Sequence, residues 1–261
     1  MIKLVCCDID NTLLHKNDPA SGKGFPGVLD NTGILPMIAT GRPVTDVLRL
    51  FPGAGKSTVI AAYDGALVLF NGAVISDRPV DVNIVRAFTD GFPEKLKAGC
   101  DVIYYGATDC FTVGNGLRAE KQLAADDTMR GHFKKVASVA EIREPVYKIS
   151  VFSENPSDFE YLAADWAPYL NCVFRNGKWC EFVSAGTDKG FALGVVMEKF
   201  GVTRTEAMAF GDGVNDFGML KAVDFSFAIE GSAADREDVA EFVTSDVVRT
   251  IKSIALGGRD S

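Results

Sequence analysis

Short, continuous apolar runs that stop at Asp- or Gly-rich breaks recur along the chain, and they predict strands buried on both faces of a parallel sheet. The first covers residues 2–7 and ends at Asp8 and Asp10. A second covers 34–39, where Pro36 removes one ladder donor, and runs into Thr40-Gly41-Arg42-Pro43. Pro43 suits a first helical turn, so a helix is expected over 43–50. A third strand, 59–62, is closed by Asp64-Gly65, and Asn71-Gly72 between two apolar pairs predicts a hairpin. Residues 15–33 carry many Gly and Pro breakers and read as loop.

Beyond residue 79 the pattern changes. A helical stripe with Val82, Val85 and Phe88 covers 80–92, strands are expected at 102–105 and 110–113, and a charged helix-compatible stretch follows at 117–130. A strand at 146–152, a helix at 157–167, and strands at 172–174 and 179–183 joined through Asn176-Gly177 complete the segment. From Thr187 the helix and buried-strand alternation returns. Helices are expected at 188–200, 215–222, 235–240 and 247–255, with strands at 207–210, 225–229 and 242–243. The expected fold class is α/β, a parallel-sheet core over 1–78 and 185–261 with an α+β domain inserted at 79–184.

A length of 261 residues suits one large and one smaller domain. The formal net charge is -8 and no segment concentrates Lys and Arg, which disfavours a nucleic-acid partner. A small anionic ligand stays open, because a metal or a few cations reverse the sign inside one pocket. No apolar run reaches the roughly 18 residues of a membrane span, and the first residues lack a signal-peptide pattern. A soluble, cytoplasmic protein without a membrane partner is expected. Its six cysteines show no CxxC spacing and are expected as thiols, and two histidines make a histidine-rich zinc site hard to build.

Two loops after apolar strands are acidic. Asp8 and Asp10 stand two apart, a spacing that would send both carboxylates to one face of a strand, one to attack and one to manage a proton. A solvated turn or a helix cap is the plain alternative. Gly211-Asp212-Gly213-Val214-Asn215-Asp216 is the second, and oxygens from both loops would suit magnesium. Thr40 and the Gly41 N–H can hold a phosphoryl oxygen, with Arg42 as an anion fork or a surface cation. Lys189 opens a helix, where the dipole gives a cation nothing, so an anionic partner is worth considering.

Taken in order, the DxDxT, TGR, DKG and GDGxND blocks resemble the haloacid dehalogenase-like (HAD) hydrolase superfamily, and the insert between Thr40 and Lys189 resembles its class IIB, Cof-type sugar-phosphatase branch. The resemblance implies a Rossmann-like core with a class IIB cap and a magnesium-dependent phosphomonoesterase acting on sugar phosphates or similar small metabolites. It implies Asp8 as nucleophile forming an aspartyl-phosphate, Asp10 as acid and base with its carbonyl on magnesium, and Asp212 and Asp216 as metal-holding groups. Thr40, Gly41, Lys189 and Asn215 would hold the phosphoryl group. Asn11 replaces the usual glycine, and Asp64 stands where relatives carry a neutral amide, a change that bears on specificity. The cap implies leaving-group contacts, for which Arg143, Tyr147, Lys148, Arg175 and Trp179 are candidates beside Arg42 and Asp64. A phosphomutase of the phosphomannomutase type and a catalytically silent binding protein are the rival functions. Monomer and homo-oligomer stay equally open.

Overall fold

The computed structural model describes residues 1–14, 22, 24–92, 99–114, 116–125, 132–155, 157–255 and 257. Its contacts form two compact units. One comprises residues 1–41, 47–76 and 188–261, the other residues 42–46 and 77–187.

The first unit is built on strands β1 (Leu4–Cys7), β2 (Leu35–Ala39), β3 (Val59–Ala62), β4 (Leu67–Phe70) and β5 (Ala73–Asp77), joined after the insertion by β12 (Ala207–Gly211), β13 (Phe225–Ile229) and β14 (Phe242–Thr244). They form an eight-stranded sheet in the order β14-β13-β12-β1-β2-β3-β4-β5. From β14 through β3 every pairing is parallel, and β4 then runs antiparallel to β3. The continuous apolar runs have a physical reason: β1, β3 and β12 are buried at every position. One sheet face packs Leu4, Met37, Ala61 and Ala209 against Ala192, Leu193 and Val196 of the helix Lys189–Phe200. The Asp188 carboxylate caps that helix by accepting from the Phe191 N–H at 2.6 Å, and Gly201 ends it in the left-handed region at φ 62°. At Gly190 a Cβ would stand 2.6 Å from the carbonyl carbon of Gly218, so only glycine lets this helix approach the helix Phe217–Lys221.

Strand β1 pairs with β2 on one side and β12 on the other, so that Cys7 lies level with both Ile38 and Phe210. The chain reverses its direction of winding there. Crevices at the carboxyl ends of such strands are where open α/β sheets bind ligands.

In the second unit, β6 (Cys100–Tyr105), β7 (Cys110–Val113), β8 (Phe133–Val136), β9 (Lys148–Ser153), β10 (Leu170–Asn176) and β11 (Trp179–Ser184) form a sheet in the order β10-β11-β9-β6-β7-β8. All pairings are antiparallel except β7 with β8. One face presents Tyr104, Phe111, Ile149, Val151 and Phe182 to the helices Val82–Asp90 and Asp158–Trp166. Phe88 anchors that layer, its ring 4.9 Å from Trp166 and 5.7 Å from Phe182. The Rossmann-like core sheet with an inserted α+β layer is therefore the architecture found.

Several local expectations need correction. Strand β1 stops at Cys7, so Asp8 and Asp10 lie beyond the strand rather than on it, and Asn11 follows them in the left-handed region at φ 61°. The expected helix over 215–222 is a 3-10 turn, Val214–Asp216, followed by the helix Phe217–Lys221. The acidic helix lies at Ala233–Arg236 rather than 235–240, because Ser232 caps it by accepting from the Asp235 N–H. Strand β8 was not anticipated. The helix expected over 117–130 is seen at Leu117–Ala125, and positions 126–130 fall outside the described residues, as do 15–21 and 23 of the expected loop. None of the cysteines is in a disulfide. Among the described residues no helix is long and apolar enough to cross a membrane.

Candidate active site

The carboxyl ends of β1, β2 and β12 deliver three loops of the first unit to one place. Asp8 follows β1 directly, and its N–H donates to the Phe210 carbonyl at 3.0 Å, tying the first acidic loop to the second. Lys189 reaches between them: its Nζ donates to Asp8 Oδ1 at 2.7 Å and to Asp216 Oδ1 at 2.6 Å. The ammonium side chain is only 1% exposed. The other Asp216 oxygen accepts from the backbone N–H groups of Asp212 and Gly213, each at 2.9 Å. That turn depends on Gly211, where a Cβ would stand 2.5 Å from the Asp216 Cβ. Asp212 in turn accepts from Thr12 Oγ1 at 3.3 Å and Asn11 Nδ2 at 3.5 Å.

Asp8, Asp212 and Asp216 each bring one carboxylate oxygen to within 4.8 Å of the others. One ammonium faces three acids, so buried negative charge is in surplus. Burial, resisted by Lys189 and reinforced by Asp216 and Asp212, pushes the Asp8 carboxyl well above the usual range. Burial and the neighbouring Asp216 push Asp212 up to about 6. Burial pulls on the Lys189 ammonium, but Asp216, Asp8 and Asp64 outweigh it and hold the charge firmly. An oxygen-only donor set with excess negative charge fits a hard divalent cation such as magnesium.

Thr40, fully buried, continues β2: its N–H donates to Ala61 and its carbonyl accepts from the Asp64 N–H at 2.8 Å. Asp64, in the left-handed region at φ 53°, accepts from Asn215 Nδ2 at 3.0 Å. Its Oδ2 would lie 2.9 Å from a Cβ at position 41, so a side chain there would push the Asp64 carboxylate aside.

The structure thus gathers Asp8, Asp212, Asp216 and Lys189 into one cluster and links Asn215 to Asp64 beside Gly41. Asp10 is exposed and outside the carboxylate cluster, although its charge acts on Asp8. Arg42 belongs to the second unit, 3.8 Å from Asp46. There too Arg143 is exposed, Tyr147 and Lys148 are buried, and Trp179 packs on Phe152. The Arg175 side chain lies outside the described residues. Sequence reasoning gave Thr12 no role, although it holds Asp212. Its place four residues after Asp8 was the available clue.

Residues 5–249 match the model of the haloacid dehalogenase-like hydrolase family. A phosphoglycolate phosphatase of Thermoplasma volcanium is 24% identical over 249 residues, spanning 94% of this chain and 92% of that protein. The crystal structure of SMU.1108c from Streptococcus mutans superposes with a TM-score of 0.86 at 18% identity, covering 98% of this chain and 100% of that one. BT4131, described as a HAD subclass IIB sugar phosphatase, does so with a TM-score of 0.77 at 19% identity, covering 97% and 99%. At these identities the two structures speak for the fold.

Proposed function

Because the chain belongs to the haloacid dehalogenase-like hydrolase family, we propose that it is a magnesium-dependent phosphomonoesterase that releases phosphate from sugar phosphates or similar small metabolites through an aspartyl-phosphate. The observation that carries this reading is Lys189, buried between Asp8 and Asp216 at the carboxyl ends of β1 and β12. In this reading residues 1–78 and 185–261 are the catalytic core and 79–184 the cap.

Asp8 attacks phosphorus in line with the ester oxygen, forming the Asp8–phosphorus bond as the ester bond breaks. Asp10, exposed at the turn after β1, gives its proton to the departing alkoxide and then takes one from the water that cleaves the acyl phosphate. Lys189 favours the ionised form of Asp8 against its burial and compensates charge spreading over the phosphoryl oxygens. The Thr40 hydroxyl and Gly41 N–H hold phosphoryl oxygens, with Asn215 beside them. Asp8, Asp212, Asp216 and the Asp10 carbonyl would hold magnesium, which when bound neutralises phosphoryl charge and offsets the carboxylate surplus.

The test is a magnesium-dependent phosphate-release panel over small phosphomonoesters, with Asp8→Asn beside wild type. Release by wild type and its loss in the variant are expected. Equal release by both overturns the nucleophile, and an isomerised sugar phosphate without free phosphate overturns hydrolysis in favour of a mutase.

A further inference from the structure

Of the six thiols in the chain five are buried, and Cys172 on β10 is the half-buried exception. Strand register gives it a neighbour of its own kind. Cys172 pairs with Phe182 across the antiparallel β10 and β11, and Cys180 stands two positions from Phe182, so both cysteines point to one face of the sheet. Between Cys172 and Phe174 the register shifts, which leaves Val173 as an extra residue, and such a bulge bends and twists its strand. The two sulfurs end 3.7 Å apart, in contact. Cys180 belongs to the apolar layer of Phe88 and Phe182, and Cys172 packs against it.

A small apolar side chain at either position would fill this layer as well as a thiol does. What two touching sulfurs add is redox chemistry. A thiol open to solvent is oxidised by hydroperoxides to a sulfenic acid and, left alone, goes on to sulfinic and sulfonic acids that thiols do not reduce. A second thiol in contact captures the sulfenic acid first, as a disulfide.

We propose that Cys172 and Cys180 form a redox modification site, in which Cys172 reacts with a hydroperoxide and Cys180 resolves the product to a reversible disulfide. In the first step the Cys172 thiolate attacks a peroxide oxygen. The S–O bond forms as the O–O bond breaks, and the leaving oxygen takes the proton that Cys172 gave up, departing as water or an alcohol. In the second, the Cys180 thiolate attacks the Cys172 sulfur. The S–S bond forms as the S–O bond breaks, and the departing hydroxide takes the Cys180 proton and leaves as water. The hydroperoxide gains the two electrons that the two thiols lose. The bond closes a short loop through the turn at Gly177 and ties β10 to β11 across the bulge. Because it joins residues two positions out of register it pulls on both strands, and strained disulfides are the readily reduced ones. The site lies wholly within the second unit and stands apart from the phosphomonoesterase reading.

The test exposes the whole reduced chain to hydrogen peroxide, blocks the remaining thiols with iodoacetamide and weighs the tryptic peptides. Cleavage after Arg175 and Lys178 parts the two cysteines, so a link appears as two joined peptides about 2 Da lighter than their sum. Wild type should give that link and lose it on treatment with dithiothreitol. In Cys180→Ala, Cys172 should instead gain about 32 or 48 Da, as a sulfinic or sulfonic acid that dithiothreitol does not remove. In Cys172→Ala, buried Cys180 should stay a thiol at the same dose. Wild type without the link overturns the proposal, whether Cys172 stays a thiol, gains oxygens or joins another cysteine. A Cys180→Ala protein whose Cys172 escapes irreversible oxidation overturns the resolving role. The wild-type measurement needs no substitution, so it decides the matter even where a variant fails to fold.

Discussion

Replacing Asp212 with Asn should make the metal-free protein more stable, although it damages the proposed metal site. Asp212 is one of three clustered carboxylates, and its pKa rises from 3.8 to about 6. Two units correspond to about 3 kcal/mol of preference for the protonated form. The sign follows from proton binding. Below about pH 4 the group is protonated folded or unfolded, and its neutral form carries no penalty. As pH rises through about 6 the folded state must ionise it, and above that the whole penalty is present. Losing the Thr12 and Asn11 contacts, at 3.3 and 3.5 Å, takes back about 1 kcal/mol. The net gain above pH 6 is then about 2 kcal/mol, or about 4 to 8 °C in Tm for a domain of this size. Thermal melts of wild type and Asp212→Asn in EDTA between pH 4 and 8 should show a gap that opens between about pH 4 and 6 and then stays constant. Adding magnesium should raise the wild-type Tm and leave the variant nearly unmoved. A variant no more stable than wild type at pH 7.5 in EDTA, or a gap independent of pH, refutes the charge-surplus argument.

Lys189→Met leaves Asp8 and Asp216 without their shared ammonium. It should cost about 3 kcal/mol in urea unfolding and abolish phosphate release, and a variant of wild-type activity would contradict the phosphoryl role. Gly190→Ala forces a Cβ to 2.6 Å from the Gly218 carbonyl carbon, and a loss of about 1 to 3 kcal/mol in the same unfolding assay is expected. Phe88→Ala empties the centre of the second unit's aromatic layer and should cost about 3 to 5 kcal/mol, read as earlier protease cleavage within residues 77–187. A cleavage rate equal to wild type would show that the layer repacks.

The buried strands were legible because burial on both faces leaves nothing but apolar residues, as β1 and β12 show. Lys189 was legible from its poor fit to a helix N-terminus. Other features depend on partners that no local pattern names. In β8, Lys134 and Lys135 alternate with nothing recognisable, and the strand exists because β7 supplies its hydrogen bonds. Spacing sent the side chains of Asp8 and Asp10 to one strand face, but β1 stops at Cys7, and beyond it one residue is buried and the other exposed. Asp216 turns back to bond two backbone N–H groups, which shortens the expected helix and buries its carboxylate. Lys148 could be named from sequence, whereas its pairing with Glu181 depends on strand register across the β9 and β11 pair.

Synthesis from the amino terminus gives the sheet order a timetable. Strands β1 to β3 leave the ribosome with one flank of β1 open, and its neighbour β12 arrives only after residues 77–187 have been made. Those residues hold nearly all of the second unit, so it can compact while the first still waits. The contact between Lys189 and Asp8 closes a span of 181 positions, and such a closure is slow because loop entropy must be lost before the contact forms. The like charges of Asp8, Asp212 and Asp216 therefore meet only after residues 77–187 have been made, when the second unit's own chain is complete.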